Sequence, residues 1–275
     1  NAIAADNVKP PSYSPYVGEN YPLNLYWGDT HVHTNLSVDA NTNGNTRLTP
    51  EQAYRFGRGE EVVTHSGQHV KLRRPLDFLI VTDHAEYLGI MPGIDSGNPE
   101  LMKSEVFRRW RDMRNQGKGS GIGLEWARPM LKSDTSSSDA PQSEPAVSPK
   151  FVRSVWEQYA AVADHFNQPG IFTAFIGYEW TSMPNGNNLH RNVVFRDDAK
   201  KATQVLPFTA VDSQRPEDLW RFMADYEQRT GGQILAIPHN ANVSGGLMFR
   251  PEDSDHQPFS REYAKTRARW EPLLE

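Results

Sequence analysis

Short apolar runs of strand length, several of them ending in a histidine or a carboxylate, alternate along this chain with stretches of helical periodicity. That alternation is the order of β/α units around a parallel sheet or barrel, and it places polar, metal-competent side chains at strand ends. The first run is LNLYWGDTHVH at residues 23–33, followed by TPEQAYRFGRG at 49–59. There Thr49 can cap a helix, Pro50 suits its first turn and Gln52 completes a capping box. LDFLIVTDH at 76–84 reads as the second strand, and a helix is expected within PELMKSEVFRRWRDMRNQG at 99–117. Ser148 and Pro149 open a strong helix, FVRSVWEQYAAVADHF, which leads into the strands IFTAFIGYEW and LHRNVVF. RPEDLWRFMADYEQRT is a helix that stops at Gly231 and Gly232, before the strand QILAIPHN.

Two segments lie outside this pattern. Residues 1–22, with four prolines among small polar residues, read as an extended N-terminal arm leading into one β/α unit over 23–275. Residues 117–147, rich in Gly, Ser, Pro and Asp, read as a long insertion too polar to be core, a lid or a spacer. The opening NAIAADN has no methionine, which suits removal of a leader and a periplasmic or secreted location, or equally a trimmed chain.

Composition narrows the chemistry. The absence of cysteine excludes disulfides, thiolate metal sites and cysteine nucleophiles, so any metal must be held by nitrogen and oxygen. A net charge of -5, from 34 acidic and 29 basic residues with no basic block, gives no footprint for nucleic acid. No run approaches the roughly 20 apolar residues that span a bilayer.

Of nine histidines, four fall at the carboxyl ends of expected strands: His31 and His33 in GDTHVHT, His84 in VTDHAE and His239 in AIPHNAN. In β/α barrels the loops after the strands converge on one bowl. Period-two spacing turns the His31 and His33 imidazoles the same way on a strand, where they can chelate one ion or be two satisfied polar groups. VTDH adds Asp83 or His84 at a second strand end. GYEW places Glu179 after a run so apolar that an unpaired carboxylate would be costly, although a cap or surface ion pair would also serve it. His190 opens the next strand, and Asn240 and Asn242 follow His239 where a substrate could be read. Arg191 fits an anion clamp or a surface ion pair. His65, His69, His165 and His256 fit solvated or helix-terminal roles.

The ordered set GDTHVHT, VTDHAE, GYEW, the histidine of NLHRN and the histidine of IPHNAN, over roughly residues 24–249, resembles the PHP (polymerase and histidinol phosphatase) superfamily of metal-dependent phosphoesterases. The wording YWGDTHVHTNLSVDA is similar to a PHP-like group described as a domain of unknown function. The resemblance implies a distorted (β/α)7-type barrel. It implies that His31 and His33 bind a first metal, that Glu179 bridges it to a second held by His190 and His239, and that Asp39 and His84 hold a third. Asp83 would orient a neighbour rather than bind. The superfamily's late Asp-x-His is missing, since DSDH at 253–256 has the wrong spacing, so the barrel is expected to be incomplete and closed by a further C-terminal segment or a second chain.

Two or three divalent ions, zinc, manganese or iron, are therefore expected, with a small phosphate ester as substrate and a metal-bridging hydroxide as nucleophile. Glu179, His239 and Arg191 are the expected catalytic groups, His239 or a water protonating the leaving group and Arg191 binding substrate with Asn240 and Asn242. The alternatives are an amidohydrolase-like C–N or C–O hydrolase, which usually bridges its metals with a lysine, and a metal-loaded accessory protein without turnover.

Overall fold

The expected strands and the four expected helices form. The computed structural model describes residues 24–131 and 147–275; the expected N-terminal arm and residues 132–146 of the expected insertion lie outside them. Strand β1 (Gly28–Val32) leads to a short helix α1 (Val38–Thr42), then α2 (Pro50–Gly57). The α2 capping box is complete: the Thr49 hydroxyl accepts from the Gln52 amide, and the Gln52 side chain accepts from the Thr49 amide at 3.1 Å. A small hairpin, β2 (Val62–Val63) with β3 (His69–Val70), precedes β4 (Phe78–Val81). Helices α3 (Ile90–Asp95), α4 (Glu105–Asn115) and α5 (Ser120–Leu131) follow, then α6 (Pro149–Phe166), capped by Ser148. The remainder runs β5 (Thr173–Trp180), β6 (Arg191–Phe195), α7 (Ala199–Ala202), α8 (Pro216–Thr230), β7 (Ile234–Pro238) and α9 (Arg261–Trp270). Among the described residues no helix is long and apolar enough to cross a membrane.

Strands β1-β4-β5-β6-β7, in that order, make one curled half-barrel sheet. β1, β4 and β5 are parallel, whereas β6 is antiparallel to both β5 and β7. The reversal departs from the uniformly parallel order expected, and it has a physical consequence. His190 enters at the amino-terminal end of β6, and that end lies beside the carboxyl ends of β5 and β7.

Side chains alternate between the two faces of the sheet. Ile176, Tyr178 and Trp180 of β5 face a core completed by Tyr54 of α2, Trp156, Tyr159 and Ala163 of α6, and Leu219, Met223 and Tyr226 of α8. The other face carries Ile80, Phe175, Val194, Leu235 and Ile237, and further along the same strands it carries Glu179 and His239. Gly177 stands between Phe175 and Glu179 on that face; a Cβ there would meet Ile80 Cγ2 at 2.8 Å and the Val193 carbonyl at 3.0 Å.

A second apolar cluster joins α1, α3, α4 and α5 through Val38, Ile90, Met91, Ile94, Phe107, Trp110, Ile122 and Trp126. This corrects the reading of 117–147 as wholly polar. Residues 120–131 form a helix whose Ile122 and Trp126 are buried in that cluster. Two apolar residues four apart sufficed to dock it, and they were obscured by the Gly- and Ser-rich sequence around them.

Candidate metal centre

Backbone geometry at the strand ends explains why the imidazoles converge. Asp83 is fully buried, and its carboxylate accepts from both the backbone amide and the hydroxyl of Thr34, the latter at 2.6 Å. That pair ties the loop after His33 to the end of β4, so Asp83 orients the neighbouring loop and lies outside the imidazole cluster. The His84 amide donates to Ser37 Oγ at 2.9 Å, and an isolated bridge pairs His84 with Glu179. α1 then presents Asp39 to the same space.

Glu179 is the hub, 1 % exposed. Its Oε1 accepts from His190 Nδ1 and from His239 Nε2 at 2.8 Å. Its Oε2 lies 2.7 Å from His33 Nε2, 3.2 Å from His84 Nδ1 and 3.6 Å from His31 Nε2. Asp39 forms a second focus, with Oδ1 at 3.2 Å from His33 Nδ1 and Oδ2 at 3.4 Å from His84 Nε2. Candidate ligand atoms of His31, His33 and Glu179, of His33, Asp39 and His84, and of His84, Glu179 and His190 each lie within 4.8 Å of one another. These buried groups could hold metal ions.

Chemistry of the donor set supports that fit. Glu179 Oε2, His190 Nε2 and His239 Nδ1 are buried without an aligned hydrogen-bond partner. The Nε2 atoms of His31 and His33 stand 3.2 Å apart, and two neutral imidazoles can satisfy that contact only if one of them is protonated there. Buried imidazole nitrogens and a carboxylate oxygen left without partners are groups that shared cations would satisfy.

Electrostatics in the metal-free cluster is divided in two. Burial disfavours a charge on Glu179, but the surrounding imidazoles outweigh it and hold the carboxyl well below its ordinary range. Asp39 is likewise depressed, its burial overridden by His33 and His84. His33 feels burial too, yet Asp39 and Glu179 push it up to about 10. For His190 burial dominates and lowers the ring to about 4. His33 therefore carries a proton near neutral pH, and His190 does not.

The structure brings together His31, His33, Asp39, His84, Glu179, His190 and His239. It does not bring Arg191 to them, which corrects its expected place as a catalytic clamp. Adjacent residues on β6 face opposite sides, so Arg191 points to the helical side of the sheet. Its guanidinium stacks over Trp180, bonds the Leu189 carbonyl and pairs with Glu271 at 3.1 Å, both side chains being 2 % exposed. Asn240 and Asn242 are exposed beyond β7, Asn240 with a left-handed φ of 57°. Three polar residues at or near the cluster carried no signal in the sequence. Thr181 Oγ1 meets His84 Nδ1 at 2.6 Å; Glu86, 2 % exposed, accepts from the Thr181 and Ala210 amides; Glu275 meets His31 Nδ1 at 3.2 Å. Thr181 and Glu86 stand two residues beyond Glu179 and His84, whereas Glu275 is brought in by a tertiary return that no local spacing announces.

The family model described as Protein of unknown function (DUF3604) matches residues 20–275. No curated protein and no solved structure matches the chain.

Proposed function

We propose that this chain, which belongs to the DUF3604 family, is a metal-dependent hydrolase, and that its centre acts on phosphate esters in the manner of the PHP superfamily. One observation carries the reading: both oxygens of the buried Glu179 face imidazoles delivered from separate elements, which supports a carboxylate that bridges two cations. His31 and His33 would share one with Glu179, and His190 and His239 the other. Asp39 and His84 would hold a third. A carboxylate at the bridging place, where amidohydrolase-like sites usually have a lysine, supports phosphoryl over amide chemistry, as does the ligand order along the chain.

Divalent ions, when bound there, would supply a water of lowered pKa and would neutralise charge on the attacked group. The protein's own work is to hold the ligands in place and to keep Glu179, His84, His190 and His239 buried. Glu179 stays ionised, Asp83 holds the loop that follows His33 through Thr34, and Trp126 closes one side with its ring 5.0 Å from that of His84. Asn240 and Asn242, exposed and following His239 beyond β7, are the residues we assign to substrate. The sulfur-free donor set suits zinc, manganese or iron.

The test is a substrate panel of phosphate mono- and diesters against amides and lactones, run with protein loaded separately with each metal. Metal-dependent phosphate release that is abolished in E179A and H33A is the expected result. Turnover of amides alone refutes the phosphoesterase assignment, and full activity of E179A refutes the site.

A further inference from the structure

His31 shows its two ring nitrogens to different surroundings. Nε2 lies with His33 Nε2 and Glu179 Oε2, at 3.2 and 3.6 Å, in one of the candidate ion positions. Nδ1, on the other side of the ring, meets Glu275 Oε1 at 3.2 Å. A neutral imidazole has one lone pair and one N–H. If Nε2 gives its lone pair to a cation, Nδ1 must carry the proton, and the acceptor waiting for it is Glu275.

The segment that brings Glu275 there is anchored independently of the centre. Just after α9, the buried Glu271 carboxylate accepts from Arg191 Nε and Arg267 Nε, both at 3.1 Å, and from the Trp220 indole at 2.8 Å. Four residues further on, the Glu275 amide donates to the Pro238 carbonyl at 3.0 Å, immediately before His239. The chain is thus pinned at both ends of residues 271–275 to strands that carry ligands, β6 and β7.

We propose that Glu275 is a positioning residue that holds the His31 ring in the Nδ1-protonated form and in the orientation that aims Nε2 at the cation, with the Arg191–Glu271 pair as its anchor. The inference rests on the metal-centre reading above. Direct ligation by Glu275, with His31 and His239, is the competing role, since atoms of these three residues also lie within 4.8 Å of one another. It would require His31 to bind through both nitrogens as an imidazolate, or to abandon the contacts of Nε2. A carboxylate behind a ligating histidine needs neither, and removing such a partner typically costs about 10–100-fold in metal affinity. The Glu275 side chain is 44 % exposed, so solvent screens its charge and alignment of the ring is the larger part of the effect.

The experiment titrates metal-depleted full-length protein and its E275A and E275Q variants with zinc, reading stoichiometry and affinity. In parallel, histidine-15N spectra of the zinc-loaded proteins report which ring nitrogen of His31 carries the proton. E275A should keep every zinc equivalent while the affinity for one of them falls about 10–100-fold. E275Q, whose amide oxygen still accepts, should recover part of that loss. His31 should read as protonated at Nδ1 in the wild type. Loss of a whole equivalent in E275A at saturating zinc makes Glu275 a ligand and overturns the proposal. So does an affinity equal to wild type, or a wild-type His31 protonated at Nε2. A wild-type protein that takes up no zinc, manganese or iron overturns the metal-centre reading and this inference with it, whereas metal bound alike by wild type and E275A sinks the inference alone.

Discussion

Replacing Glu271 by glutamine isolates the energetic role of the Arg191–Glu271 pair. Both side chains are 2 % exposed, so neither charge has water to fall back on. Breaking a buried pair from one side typically costs about 3–5 kcal/mol, because the remaining charge is left uncompensated. Glutamine still offers an oxygen to the Trp220 indole, which puts the expected loss near the lower end, about 3 kcal/mol. For a chain of this size that corresponds to a fall in melting temperature of roughly 6–12 °C. R191M should cost a similar amount, since it strands Glu271 with Arg267 alone as its charged partner. The double variant R191M/E271L removes both charges, and it should be less destabilised than the sum of the single changes by at least about 2 kcal/mol. Urea unfolding of the metal-depleted proteins, followed by tryptophan fluorescence, measures all three. Single variants that lose under about 1 kcal/mol, or a double variant whose loss is the plain sum, would refute the assignment of Arg191 to a buried structural pair.

Proton release gives a second prediction. His33 is pushed up to about 10 in the metal-free protein and must give up its proton to bind a cation, so zinc affinity should rise by about tenfold per pH unit near neutrality. Calorimetry in buffers of different ionisation enthalpy should show at least one proton released, since His31 is raised as well, and none released would contradict the assignment. The raised His33 also stabilises the metal-free fold fully below its unfolded value of 6.5, a contribution lost as pH climbs toward about 10, which an alkaline denaturation series would show. W126A should cost about 3–5 kcal/mol by urea unfolding, because Trp126 is buried and its indole donates to the Glu86 carbonyl at 3.2 Å; a change under about 1 kcal/mol would return α5 to the surface. D83N should weaken zinc binding about 10–100-fold with an unchanged ligand set, since the two Thr34 donors meet different carboxylate oxygens and the amide replaces one of them with a donor; unaltered affinity would separate Asp83 from the centre.

Much of this was legible in the sequence where local chemistry decides. Thr49 with Gln52 and Ser148 with Pro149 marked helix starts, and Gly231, with φ of 63°, marked the end of α8. The HxH spacing and the apolar run before Glu179 pointed to side chains that do converge. What was hidden depends on packing across distance. The antiparallel direction of β6 is not written in its own residues; it brings the strand's amino-terminal end, and with it His190, to the cluster, while side-chain alternation turns Arg191 to the other face. α5 was masked by the small residues around Ile122 and Trp126. Glu271 and Glu275 lie in EPLLE, where nothing local distinguishes a buried carboxylate from a solvated one.

Crystals of the protein soaked with manganese or zinc, with anomalous diffraction recorded above the metal edge, would test the shared-cation centre directly. The account predicts peaks about 2.0–2.2 Å from Glu179, with imidazole nitrogens of His31, His33, His190 and His239 completing their coordination. Loaded crystals whose ions all lie away from Glu179 would contradict it.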